Sequence, residues 1–288
     1  MKRYIILFTL LGLSLIAEAQ DKPAYTLFSK DGEEISYGKM IKQLAKSDII
    51  LFGELHDNSI GHWLELQVAK DMHADQSDLT LGFEMFEADD QLVLNEYLTG
   101  VIEERHLLAE AKVWDNYKND YKPLIEFAKK SSLKAIATNV PRRYANLVYR
   151  KGIQALESLP EEARQYIAPL PIIIDLELPG YKSMISSMGG HGAPGSAENL
   201  ARSQAVKDAT MAYFILKNKT SGMFIHYHGA YHSQNFEGIM WYLQKARPDL
   251  KIMTIHSVEQ ATIDKLNEEN KNTADFIICI PADMTKTY

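Results

Sequence analysis

The chain has 288 residues, enough for a sizeable core, with 31 basic against 38 acidic side chains and a formal charge of −7. That balance, with the basic residues dispersed, excludes nucleic acid or an anionic membrane surface as the main partner. The one cysteine, Cys279, excludes an intramolecular disulfide, and its place in the run IICI marks it as inert core packing.

Residues 1–19 read as a secretory signal. Lys2 and Arg3 give the positive start, Ile5 to Ile16 the apolar core, and Ala17-Glu18-Ala19 the cleavage site. An apolar core of about a dozen residues is short of the roughly 20 that cross a bilayer. The mature chain is therefore expected to be exported, periplasmic or secreted, without a membrane span. No Cys stands at the cleavage site, so it is not expected to be a lipoprotein. Residues 20–288 read as one α/β domain with a helical insertion at about 87–131.

Asp31-Gly32 between short alternating runs suggests a small hairpin. Ser36 is a candidate cap for a helix from Tyr37 to Ala45. The unbroken run Ile49-Ile50-Leu51-Phe52 then fits a strand buried on both faces. It ends at Gly53, and Glu54, His56, Asp57 and His62 follow. A helix is expected from about Ile60 to His73, capped by Asn58 or Ser59. A second strand, Leu79 to Phe83, ends at Glu84.

Asp89 to Ser131 is polar and helical, long for one crossover, and reads as a helical cap beside the site. The third strand, Leu133 to Thr138, leads to Asn139, Arg142 and Arg143, with Pro141 starting a helix that Gly152 ends. Ala168 to Pro179 fits either a strand or an extended linker. Gly180 to Ser196 holds five of the sixteen glycines, together with His191, and reads as a mobile lid. Ala197 to Leu216 is a helix with an alanine stripe at 201, 205, 209 and 212. Met223-Phe224-Ile225 then runs into HYHGAYH. A helix at Glu237 to Lys245, a strand at Lys251 to Ile255, a charged helix at about Thr262 to Asn270 and a strand at Phe276 to Ile280 complete the chain. Alternating strands and helices predict a mainly parallel central sheet with helices on both faces.

Ionisable residues thus appear where buried strands end, which is where open α/β sheets bind ligands. Gly53 and Gly229 each precede a histidine by three residues, His56 and His232, and are expected to turn the backbone sharply. His56, Glu84, His228 and His232 offer nitrogen and oxygen donors to a divalent metal. Glu54 with His56 could instead work as a metal-free acid–base pair. A third reading has the histidines only bonding backbone carbonyls at strand ends. His226 is read as facing the opposite side of the sheet from His228. His62, Asn139, Arg142 and His191 are candidate ligand contacts. Gln204 and Asp208, one helical turn apart, could orient a histidine from behind. There is no Gly-x-Ser-x-Gly elbow, P-loop or Cys-x-x-Cys pair.

The segments ILFGELHDNSIGHWLELQ, LGFEMFEADDQ, YKPLIEFAKKSSLKAIATNVPRRY, SQAVKDATMAYFI and FIHYHGAYH resemble, in order, the ChaN-like haem-binding family of iron-regulated envelope proteins. That family is grouped with the Tiki, TraB and erythromycin-esterase-like proteins. The resemblance implies an α/β fold with a helical subdomain and a role in haem or iron acquisition. It implies a dimer holding two stacked haems, each iron bound by a tyrosine and a partner histidine. No motif places that tyrosine here, so the haem-iron ligand is left unknown. The Tiki pattern of two Gly-x-x-His motifs and a Glu maps onto His56, Glu84 and His232, and the metal-free esterase pattern onto Glu54 and His56. Two functions are therefore expected to compete. One is an exported haem- or iron-binding protein, possibly homodimeric, with haem or a small molecule as its partner. The other is a metal-dependent peptidase or esterase, using a divalent ion and Glu54 as base.

Overall fold

Among the described residues, seven strands make one sheet: β1 (Thr26–Ser29), β2 (Ile49–Glu54), β3 (Leu79–Glu87), β4 (Lys134–Asn139), β5 (Met223–Gly229), β6 (Ile252–Gln260) and β7 (Phe276–Pro281), in the order β1-β7-β6-β2-β5-β3-β4. The computed structural model describes residues 22–188 and 195–288. The signal segment and His191 lie outside them. Every pairing is parallel except β1 on β7.

β2, β3 and β5 are buried along their whole length, as strands covered on both faces must be. The two-residue period of β2 splits its side chains between two cores. Ile50 and Phe52 pack with α1 (Tyr37–Leu44) and α2 (Ser59–Asp75). Ile49 and Leu51 pack on the other face. They meet Met211, Ala212 and Ile215 of α9 (Ser196–Asn218) and Ile239, Met240 and Leu243 of α10 (Ile239–Ala246). Ser36 caps α1 by accepting from Lys39 N–H, and the side chain of Asn58 caps α2.

After β3 the chain forms α3 (Gln91–Leu98), α4 (Glu104–Glu110), a π-helical turn at Tyr117–Tyr121 and α5 (Lys122–Lys130). Leu94, Leu107, Tyr117 and Leu124 anchor this stretch in the larger core. Its polar edge reaches the strand ends, where Tyr121 and Trp114 touch Glu54 and His56. α6 (Arg142–Lys151) and α7 (Glu161–Arg164) follow β4. α8 (Pro179–Ser187) packs on α9, Tyr181 lying against Ala201 and Ala205. Small side chains on α9 make that close approach affordable.

Three expectations change, and the choice left open at Ala168 to Pro179 falls to the linker. Gly180–Ser187, read as lid, belongs to helix α8, because Tyr181 is 3% exposed and docks on the alanine stripe. The charged helix at 262–270 is a loop with one short 3₁₀ turn, Glu268–Asn270. The side chain of Gln260 replaces the helical bonds there, donating to the carbonyls of Thr262 and Lys265 and accepting from Asn267 N–H. Residues 168–178 form neither strand nor helix. Gly53 and Gly229 are not sharp turns, since neither takes the left-handed backbone. Their role is steric. A Cβ on Gly229 would lie 2.7 Å from His56 Nε2, and one on Gly53 would lie 2.9 Å from Ala230 Cα.

Candidate functional site at the strand ends

Register brings the expected residues together. Glu54 stands opposite Gly229 between β2 and β5, and Phe83 opposite Tyr227 between β3 and β5. The ends of β2, β5 and β3 are therefore neighbours, and Glu54, Glu84, His228 and His232 are all buried there.

Two carboxylate–histidine pairs result. In the first, Glu54 Oε1 meets His56 Nδ1 at 2.7 Å and also accepts from the Tyr121 hydroxyl. The His56 side chain is 38% exposed against 1% for Glu54, so His56 is the member of the pair that solvent reaches. Burial raises the pKa of Glu54, but His62 and His56 overcome it and hold the carboxylate at about 2. In the second, His232 lies between two carboxylates. Its Nε2 is 3.0 Å from Glu84 Oε1, and its Nδ1 meets Asp208 Oδ1. Burial disfavours the charged ring, yet Glu84 and Asp208 raise its pKa to about 10. Gly229 N–H donates to Glu84 Oε2 at 2.8 Å, and the Tyr181 hydroxyl donates to Asp208 Oδ2 at 2.6 Å. The Gln204 amide lies 3.0 Å from His232 Nδ1.

His226 and His228 share one face of the sheet, with Nδ1 atoms 3.0 Å apart, because residues two apart on a strand point the same way. The reading that placed them on opposite faces is overturned by that period. Their tautomers follow from fixed donors. Thr138 donates its hydroxyl to Phe83 O, so it accepts from His226 Nε2. His226 Nδ1 then accepts from His228 Nδ1, which leaves His228 Nε2 with a lone pair and no partner. Burial, with His232 alongside, lowers the pKa of His228 to about 3, so the ring is neutral.

The other candidates are dispersed. Arg142 lines a surface cavity with Lys112, Trp114 and Asn116, while Arg143 pairs with Asp89 at 2.6 Å. Asn139 stands opposite Glu87 in the β3–β4 register. His62 is buried beneath the first pair, 2.9 Å from Glu65 Oε2. Among the described residues, Glu54, His62 and Glu65 form a group of three whose donor atoms all lie within 4.8 Å of one another. Sequence reasoning missed Glu65, Tyr121 and Tyr181. Glu65 had a signal: it sits with His62, Val68 and Met72 on the core face of α2.

The chain is thus a mainly parallel α/β sheet with paired carboxylates and histidines at its strand ends. The family model described as "Haem-binding uptake, Tiki superfamily, ChaN" matches residues 40–243, and the chain belongs to that family. Among solved structures it is similar to ChaN of Campylobacter jejuni, described for cofacial haem binding. Identity is 19%, the TM-score is 0.68, and the match covers 90% of this chain and 97% of that one. A Bacillus cereus protein matches at 11% identity and a TM-score of 0.51, covering 84% of this chain and 90% of that one. The erythromycin esterase EreC matches at 10% and 0.50, covering 89% and 97%. At such identities the likeness is one of fold. No curated protein matches the chain.

Proposed function

We propose that this chain is an exported haem-binding protein of haem or iron acquisition at the cell envelope, loading as a homodimer. The observation that supports it is membership of a haem-binding uptake family over residues 40–243. The strand-end hollow does not suit a porphyrin, because it is filled by Glu54, Glu84, Asp208 and their histidines. A haem ring has apolar faces and anionic propionates. A surface groove beside α9 and α10 suits those better, with Ile172, Ile173, Trp241 and Tyr242 as walls, Tyr213 as a phenol and Lys245 as a cation. A tyrosinate is an established ligand for haem iron. Haemin titrated into tag-free protein should give a saturable absorption change at one haem per chain, weakened by Trp241→Ala. No saturable change overturns the haem reading. Unchanged binding in the variant overturns only the groove.

A second reading rests on the 2.7 Å contact between Glu54 and His56. Glu54 holds Nδ1 of His56, leaving Nε2 as base for a water that attacks an ester carbonyl. Nε2 takes the water's proton and returns it to the leaving alkoxide. Hydrolysis of a simple aryl ester above background, lost in His56→Ala with haemin binding intact, supports this activity. Equal rates in both proteins exclude it.

A further inference from the structure

We propose that Glu54, His62 and Glu65 form a divalent transition-metal site, buried beneath the Glu54–His56 pair and separate from Glu84, His232 and Asp208. The three residues are 3%, 4% and 0% exposed, and one donor atom from each lies within 4.8 Å of the other two. His62 Nδ1 is 2.9 Å from Glu65 Oε2 and 3.9 Å from Glu54 Oε2. His62 and Glu65, three apart on α2, share one helical face, and β2 supplies Glu54 opposite.

Three independent features point to a cation. Glu54 Oε2 and Glu65 Oε1 are buried and have no hydrogen-bond partner. Burying two carboxylates side by side is costly, and without a metal cation a proton on His62 or on one carboxylate must offset them. The His62 tautomer is also fixed. Its Nε2 faces the carbonyl of His56 at 3.1 Å, and a carbonyl only accepts, so Nε2 carries the proton. Where a metal cation displaces the proton between Nδ1 and Glu65, the Nδ1 lone pair points at that cation with the two carboxylates around it. A ring N–H on a backbone carbonyl is the usual support of a metal-bound histidine. Finally, His62 and Asp120 line a surface cavity of about 430 Å³, which gives an entry path.

One imidazole nitrogen and two carboxylate oxygens suit Mn²⁺, Fe²⁺ or Zn²⁺. At metal–ligand distances of about 2.1 Å the donor atoms would draw in by roughly an ångström. The Glu54 Oε1 contact to His56 is left free, so a cation here would fix the orientation of the Glu54–His56 pair.

The test is dialysis of tag-free protein against Mn²⁺ or Zn²⁺, removal of free ion, and elemental analysis. Wild type should retain one ion per chain. Glu65→Gln and His62→Gln should bind at least tenfold more weakly, and Glu84→Gln should keep its ion. Because a core variant can misfold, wild type loaded with Co²⁺ provides a second measurement, a visible absorption band of nitrogen and oxygen ligation. Three results would overturn the site: no retained ion, an ion retained unchanged in Glu65→Gln, or an ion lost in Glu84→Gln.

Discussion

His232 is the residue on which protonation and geometry agree most closely. A ring clamped at both nitrogens by Glu84 and Asp208 is held as an imidazolium. The sign of its pH effect follows. The native state holds the proton to about pH 10, whereas an unfolded histidine releases it near 6.5. The stabilisation is complete below about pH 6.5 and is lost as pH rises towards 10, by up to about 1.4 kcal/mol per unit. Denaturant melts across that range should show a falling alkaline arm that His232→Gln flattens. An identical slope in the variant contradicts the clamp.

At the scale of elements, the strand ends were legible because an apolar run that stops at a charged residue has few other structural explanations. β2 and β5 show this, and the capped start of α2 was equally plain. Asn58 Oδ1 accepts from the backbone N–H groups of Ile60 and Gly61 at 3.1 Å each, and the helix it starts carries His62 and Glu65 into the core. Asn58→Ala should cost about 1 kcal/mol. That is a fall in Tm of about 2–4 °C for a chain of this size, measured by circular dichroism. No change in Tm would mean that packing alone holds α2. What could not be read were the places where tertiary contacts override local pattern. Gln260 replaces a helix at 262–270 with side-chain bonds, and Tyr181 draws a glycine-containing stretch into α8. Tyr121 reaches Glu54 from 67 positions away, a contact that no spacing rule encodes.

Across the whole molecule, the sheet order places β5 between β2 and β3, so segments far apart in sequence share one hollow. The two histidine-bearing strand ends, read separately in the sequence, prove to be adjacent in register. Among the described residues no helix is long and apolar enough to cross a membrane. The account divides the work between a charged, buried strand-end cluster and an apolar outer surface where haem would join two copies. Sedimentation velocity recorded at a haem absorption wavelength tests that division most directly. The account predicts haem co-migrating with protein at the mass of a dimer, two haems to two chains. Haem that sediments apart from the protein would contradict it.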